Sequence, residues 1–209
     1  MYSNYSARGR TNRPLPVCTI ALVIINIAVF VYLEVIGDTS SGSFMLRHGA
    51  NFWPLVFEQG EYYRLLTCTF IHFGISHIFN NMLVLGYIGD NLERALGHVR
   101  FVILYLVSGV GSSYVSAWIS RMNGEASISG GASGAIFGVV GALLIIVIMN
   151  RGRYEDLSST RLMLFIALSI YHGVTSAGID NTAHVAGAVI GAVLGTLLYS
   201  AVRKKRRRA

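Results

Sequence analysis

Charge is scarce in this chain. Of 209 residues only 13% are Asp, Glu, Lys or Arg, while 53% are hydrophobic and the mean hydropathy is +0.55, a balance that excludes an ordinary soluble domain. Proline is almost missing, with three residues against twenty-three glycines. That disfavours a loop-rich secreted fold and suits helices that approach closely through small residues. The two cysteines, Cys18 and Cys68, are too few and too far apart for a disulfide framework, and neither has the spacing of a metal or redox motif. Both are expected as buried small hydrophobes. No repeat period or low-complexity block stands out apart from the basic run Arg203 to Arg208.

What is present is a series of long apolar runs. Six of them are long enough to cross roughly 30 Å of hydrocarbon at about 1.5 Å per helical residue: Val17 to Ile36, Ser76 to Leu92, Phe101 to Ile119, Ala132 to Met149, Leu162 to Gly178 and Thr182 to Val202. The expected fold is an all-α membrane protein, a six-transmembrane helical bundle. Residues 1–16 read as a cytoplasmic tail, 17–202 as one six-span domain, and 203–209 as a basic cytoplasmic tail. No small-residue cleavage site follows the first apolar run, so it is expected as a transmembrane helix and not a signal peptide. Between spans one and two, Asp38 to about Ile75 mixes Phe44, Phe52, Trp53, Phe57, Tyr62 and Tyr63 with a few charges, the composition of an outer loop lying in the membrane interface.

Basic residues give the orientation, because cytoplasmic loops carry the excess of Lys and Arg. Six spans place both termini on one side, and that side holds all of the 17 basic residues except Arg47, Arg64 and Arg121. Both ends are therefore expected in the cytoplasm. Spans two, four and six then run from outside to inside and begin at one depth near the outer surface. His77 and Asn81 lie in the first turns of span two, Ser133 begins span four and His184 begins span six. Polar groups in membrane segments are costly and read as functional, and these four converge on one level.

Such a set suits acyl transfer. A serine hydroxyl needs a base within hydrogen-bond reach, and a neutral imidazole fits that task. Ser133 is the candidate nucleophile and His184 the candidate base. His77, the amide of Asn81 and the backbone N–H groups at Ser133 are candidate donors to an oxyanion. The glycines flanking the serine in Gly130-Gly131-Ala132-Ser133-Gly134 permit a tight turn and close approach of a substrate chain. Asp180, four residues before His184, reads as a loop residue or helix cap, so a Ser–His dyad is preferred to a triad. His172 reads as a hydrogen-bonded core residue.

Together these residues resemble the rhomboid intramembrane serine proteases, over about Tyr62 to Gly191. Gly131-Ala132-Ser133-Gly134 matches the family's nucleophile motif, with Phe137 at the aromatic position that packs on the catalytic histidine. Ala183-His184 followed by Gly187 and Gly191 matches the segment bearing the base, where the glycines let the last helix pack on the serine helix. His72, His77 and Asn81 match the paired histidines and the asparagine of span two. The resemblance implies oxyanion roles for His77 and Asn81 and structural roles for His72 and Glu93. Tyr63-Arg64 stands where many members have Trp-Arg, keeping the arginine, and Arg64 is expected to support the outer loop. It further implies cleavage of substrate transmembrane segments near the outer surface, beside a small residue in a helix weakened by Gly or Pro, without metal or nucleotide cofactor.

Each piece has a plainer reading. Gly-Ala-Ser-Gly in an apolar helix can be a packing surface, and Gly187 with Gly191 makes a Gly-x-x-x-Gly contact whatever the function. Two other function classes compete: a catalytically silent relative that binds transmembrane clients, which should lack the serine or base, and a metal-handling protein using His72, His77, His172 and His184, which should have carboxylate or thiolate partners at that depth. The expected partners are transmembrane protein substrates and membrane lipids, with anionic lipid at the basic tail. Nucleic acid is not expected, since the charge sits on a tethered tail with no aromatic platform. The expected location is a multi-pass protein of the plasma membrane.

Overall fold

The computed structural model describes residues 15–155, 157–175 and 178–206. Arg8, Arg10, Arg13, Arg207 and Arg208, used above to orient the chain, lie outside the described residues. Six helices of 17 residues or more follow the six expected runs. They are α1 (Val17–Ile36), α4 (Ile75–Leu96), α5 (His98–Asn123), α6 (Ser133–Met149), α7 (Ser159–Thr175) and α8 (Asn181–Arg206). Two short helices, α2 (Gly42–Arg47) and α3 (Arg64–Thr67), lie in the loop after α1, and a two-residue hairpin, β1 (Arg153–Tyr154) with β2 (Leu157–Ser158), precedes α7.

Length and apolarity suffice for a membrane crossing in α1, α5 and residues 181–204 of α8. α4 qualifies only together with Arg64–Phe70, which meets it at 89°. The physical reason lies in its composition: the first turns of α4 carry Ser76, His77, Asn80 and Asn81 and its last turns Asp90, Glu93 and Arg94. α6 is apolar but has 17 residues, about 26 Å at the usual helical rise.

α6 is the central helix. A helix apolar all round must be covered all round, and Gly134 through Leu143 are buried without interruption. Its tightest neighbour is α8, and glycines set the distance. A Cβ on Gly187 would overlap the carbonyl of Gly134, one on Gly191 the carbonyl of Gly138, and one on Gly141 the carbonyl of Ala188. Backbone thus rests on backbone. Two positions out of phase with Gly187, Gly191 and Gly195, the residues Val185, Val189, Val193 and Leu197 are all exposed, so the opposite face of α8 is an apolar stripe suited to lipid. α5 packs on α6 through serines: a Cβ on Gly134 would overlap Ser112 Oγ, and one on Gly138 would overlap Ser108. α7 buries only Leu162 and Gly173 among its described residues. His172 is exposed on it, contrary to the core position expected, because the sparse packing of α7 leaves that face uncovered.

The segment between α1 and α4 is folded, with Leu33, Phe44, Met45, Ala50 and Ile71 forming a separate small core. Arg64 ties it together. Its buried guanidinium donates to the carbonyls of Leu46 at 2.6 Å and Ala50 at 3.0 Å, and Nε donates to Glu61 Oε2 at 2.5 Å. The Arg64 hydrogen bond, with a second from Tyr63, holds the Glu61 carboxyl below its ordinary range. Arg64→Met keeps the apolar stem but takes the side-chain donor from the carbonyls of Leu46 and Ala50, leaving the second without a hydrogen-bond partner among the described residues, at about 1–3 kcal/mol for an unsatisfied buried group. A lowered melting temperature is expected, and an unchanged one would remove Arg64 from this structural role. Cys68 is buried with its thiol 3.1 Å from Ser113 Oγ, as expected of it. Cys18 is only half-buried, because it sits in the open first turn of α1.

Candidate active site

Ser133 is the first residue of α6. The strand of loop leading to it is fastened to the folded segment before α4: Ser129 and Asn51 exchange backbone hydrogen bonds at 2.8 and 3.0 Å, and Gly131 N–H donates to Cys68 carbonyl at 2.8 Å. Ala132 N–H donates to Nε2 of His72 at 3.3 Å, and His72 is fully buried. His72 therefore holds the residue preceding Ser133. Gly131 has φ +136°, a conformation that glycine adopts without strain.

Gly131 is also where the candidate oxyanion donors meet. A Cβ placed on it would stand 2.7 Å from Cε1 and 2.8 Å from Nε2 of His77, and 3.8 Å from Nδ2 of Asn81. His77 Nδ1 accepts from Phe73 N–H at 3.4 Å, which puts the ring proton on Nε2, the nitrogen that faces Gly131. Two side-chain N–H donors and the free N–H groups of the first turn of α6 thus surround one point beside Ser133. Asn81 is buried and Asn80 exposed, so α4 turns the first and not the second toward the site.

His184 comes from α8 and is 8% exposed. Its ring lies parallel to that of Phe137, with centroids 4.2 Å and planes 7° apart, and Phe137 is backed by Phe165 of α7 at 6.0 Å. Phe137 is one turn beyond Ser133 on the same helix, so the stack sets the imidazole over the face of α6 that carries the hydroxyl. Among the described residues no hydrogen bond links Ser133 to His184, and His184 Nδ1 is buried without a partner. Ser133 is half-buried. It lines a cavity of about 20 Å³ together with Cys68, Ser112, Ser113, Gly131, Asp180 and Ala183, large enough for about one water molecule.

Asp180 caps α8. One carboxylate oxygen accepts from Ala183 N–H at 2.9 Å, and the other accepts from Ser116 of α5. The cap was legible in the sequence, but the tie to α5 was not. Ser108, Ser112 and Ser116 form one polar face of α5, for which their spacing of four residues is the only signal in the sequence. Glu93 stands at the far end of α4 from His77. It is 2% exposed and accepts from Cys18 N–H at 3.0 Å and from both the N–H and hydroxyl of Thr19 at 2.7 Å, an anionic cap on the start of α1.

A serine at a helix start, a histidine stacked on the same helix and two N–H donors beside them make an acyl-transfer arrangement. Residues 59–201 match the rhomboid domain family. The chain belongs to the rhomboid family. It is 34% identical over 176 residues to rhomboid protease GluP of Bacillus subtilis, covering 84% of this chain and 34% of that protein. It is 40% identical over 145 residues to RHOMBOID-like protein 4 of Arabidopsis thaliana, covering 68% of this chain and 36% of that one. With rhomboid protease AarA of Providencia stuartii it shares 33% identity over 212 residues, covering 90% of this chain and 74% of the other. The chain spans about a third of the length of the first two. This rhomboid is an integral membrane protein, and proteases are among its relatives.

Proposed function

We propose that this rhomboid is an intramembrane serine endopeptidase in which Ser133 is the nucleophile and His184 the base. The observation that carries the reading is the convergence of three helix starts. Phe137 holds the His184 ring beside the first turn of α6, while His77 and Asn81 meet at Gly131. In the proposed reaction the imidazole takes the Ser133 proton as Oγ attacks the scissile carbonyl. Nε2–H of His77, the Asn81 amide and the Ser133 backbone N–H receive the oxyanion. The proton then passes from His184 to the leaving amine, and water hydrolyses the acyl-enzyme by the same steps in reverse order. Hydroxyl–imidazole contacts in free enzymes are often long and tighten with substrate, so the hydrogen bond between Ser133 and His184 is assigned to the substrate-bound state.

Six membrane crossings with both termini in the cytoplasm complete the proposal. They put the starts of α4, α6 and α8 near the outer surface and the aromatic segment before α4 in the outer interface. Basic residues around α4–α5, around the hairpin and in the tail support that orientation, and the exposed apolar faces of α1, α7 and α8 support contact with lipid. Substrates are then transmembrane protein segments cut near that surface in the plasma membrane, the basic tail resting on anionic lipid.

Labelling of purified full-length protein by a fluorophosphonate tests the reading. Wild type should label and Ser133→Ala should not; equal labelling would place the reactive hydroxyl elsewhere. Asn81→Ala should slow cleavage of a single-span substrate by about tenfold or more through loss of one transition-state donor. An unchanged rate would reject its role.

A further inference from the structure

At the end of α4 remote from Ser133, three metal-ligand types from three helices come together. Cys18 of α1, Glu93 of α4 and His98 of α5 offer Sγ, a carboxylate oxygen and Nδ1, all within 4.8 Å of one another. Among the described residues this is the one group of three or more such side chains. It owes nothing to sequence spacing: Cys18 and Glu93 are 75 positions apart. The single residue Gly97, at φ +84°, ends α4 and starts α5 and so brings His98 back against Glu93.

We propose that Cys18, Glu93 and His98 bind a divalent transition-metal ion of the zinc class, fastening the start of α1 to the α4–α5 junction. The donor set is right in kind, since thiolate, imidazole and carboxylate are the ordinary zinc ligands. Its charge is right as well: one thiolate and one carboxylate neutralise a divalent ion, which suits a carboxylate only 2% exposed. Orientation is already built. Thr19 holds Oε2 of Glu93 through two hydrogen bonds of 2.7 Å, whereas Oε1 accepts from the Cys18 backbone N–H at 3.0 Å and meets Nδ1 of His98 at 2.5 Å. Outer contacts of this type fix a ligating carboxylate. Access exists because the His98 side chain is 54% exposed and Cys18 half-buried. Tetrahedral coordination needs ligand atoms roughly 3.5 Å apart, within reach of small rotations of an exposed imidazole. The ion displaces one proton, that of the Cys18 thiol, to solvent; His98 binds as the neutral imidazole through Nδ1, its one ring proton resting on Nε2. Water completes the coordination.

The test uses tag-free, chelator-treated full-length protein in detergent, titrated with Co²⁺ and then Zn²⁺. Wild type should take up one Co²⁺ per chain with a thiolate-to-cobalt absorption band that Zn²⁺ abolishes, and Zn²⁺ should raise the melting temperature. Cys18→Ser should show neither the band nor the shift, and His98→Ala should bind at least about tenfold more weakly. Melting of both variants in chelator establishes that they fold. Absence of the band in wild type, its persistence in Cys18→Ser, or unchanged affinity in His98→Ala would overturn the site. None of these readouts involves proteolysis, so they stand apart from the assignment of Ser133 and His184.

Discussion

Ser133→Ala and His184→Ala should each lower cleavage of a single-span substrate by at least about 10⁴-fold, the two losses being nearly equal and not additive. The equality is the informative part. A nucleophile without its base and a base without its nucleophile both leave only the oxyanion donors and substrate positioning, so the double variant should be no worse than either single one. Helical circular dichroism and melting should stay close to wild type, because Ser133 is half-buried and removal of its hydroxyl orphans no hydrogen-bond partner seen among the described residues. His184→Ala also removes the ring stacked on Phe137 at 4.2 Å, and a modest loss of stability is expected there. His184→Phe, which restores an aromatic ring but no base, should recover stability without activity. Cleavage by His184→Ala within tenfold of wild type would mean that another group takes the proton.

Gly191→Leu should be the most damaging substitution outside the site. Even a Cβ at this position overlaps the carbonyl of Gly138, and neither backbone can yield without moving a whole helix. Overpacking of a close contact costs typically about 1–3 kcal/mol and more where backbone is the obstacle. The functional loss should exceed the loss of stability. α8 carries His184 and α6 carries Ser133, so a separation of the helices by a fraction of a residue diameter keeps His184 from closing on the Ser133 hydroxyl when substrate binds, and misplacement by about 1 Å can cost about 10²-fold in rate. The expected result is a lowered melting temperature with fluorophosphonate labelling reduced or lost. Val189→Leu, on the exposed face of the same helix, should do neither. Wild-type labelling by Gly191→Leu would show that the α6–α8 contact does not set the geometry of the pair.

The helices were legible because apolar length and the absence of proline dictate them: α1 has the bounds read from the sequence, and α6 differs by one residue at its start. Six hydrophobic runs do not make six equal spans, however. α4 is too polar to qualify alone, since its ends carry His77, Asn81, Asp90, Glu93 and Arg94. A helix that supplies a site and an anionic cap gives up apolarity to do so. Ser133, His184, His77 and Asn81 stood out in the sequence because unpaired polar groups in apolar runs are costly. The fastening of His72 to Ala132 did not stand out, because a loop-to-loop hydrogen bond leaves no periodic trace.

By itself the sequence determined the helical class, the apolar faces and the candidate reactive residues, since each follows from local composition and period. Only the tertiary structure decided which of those residues meet. Gly187 and Gly191 press α8 on α6 closely enough to lay His184 over Phe137, and Gly131 leaves the space into which His77 and Asn81 point. The grouping of Cys18, Glu93 and His98 is of the same kind. Contacts between helices far apart in the chain are settled by backbone approach and turn geometry, and those are properties of the packed bundle, not of any one segment.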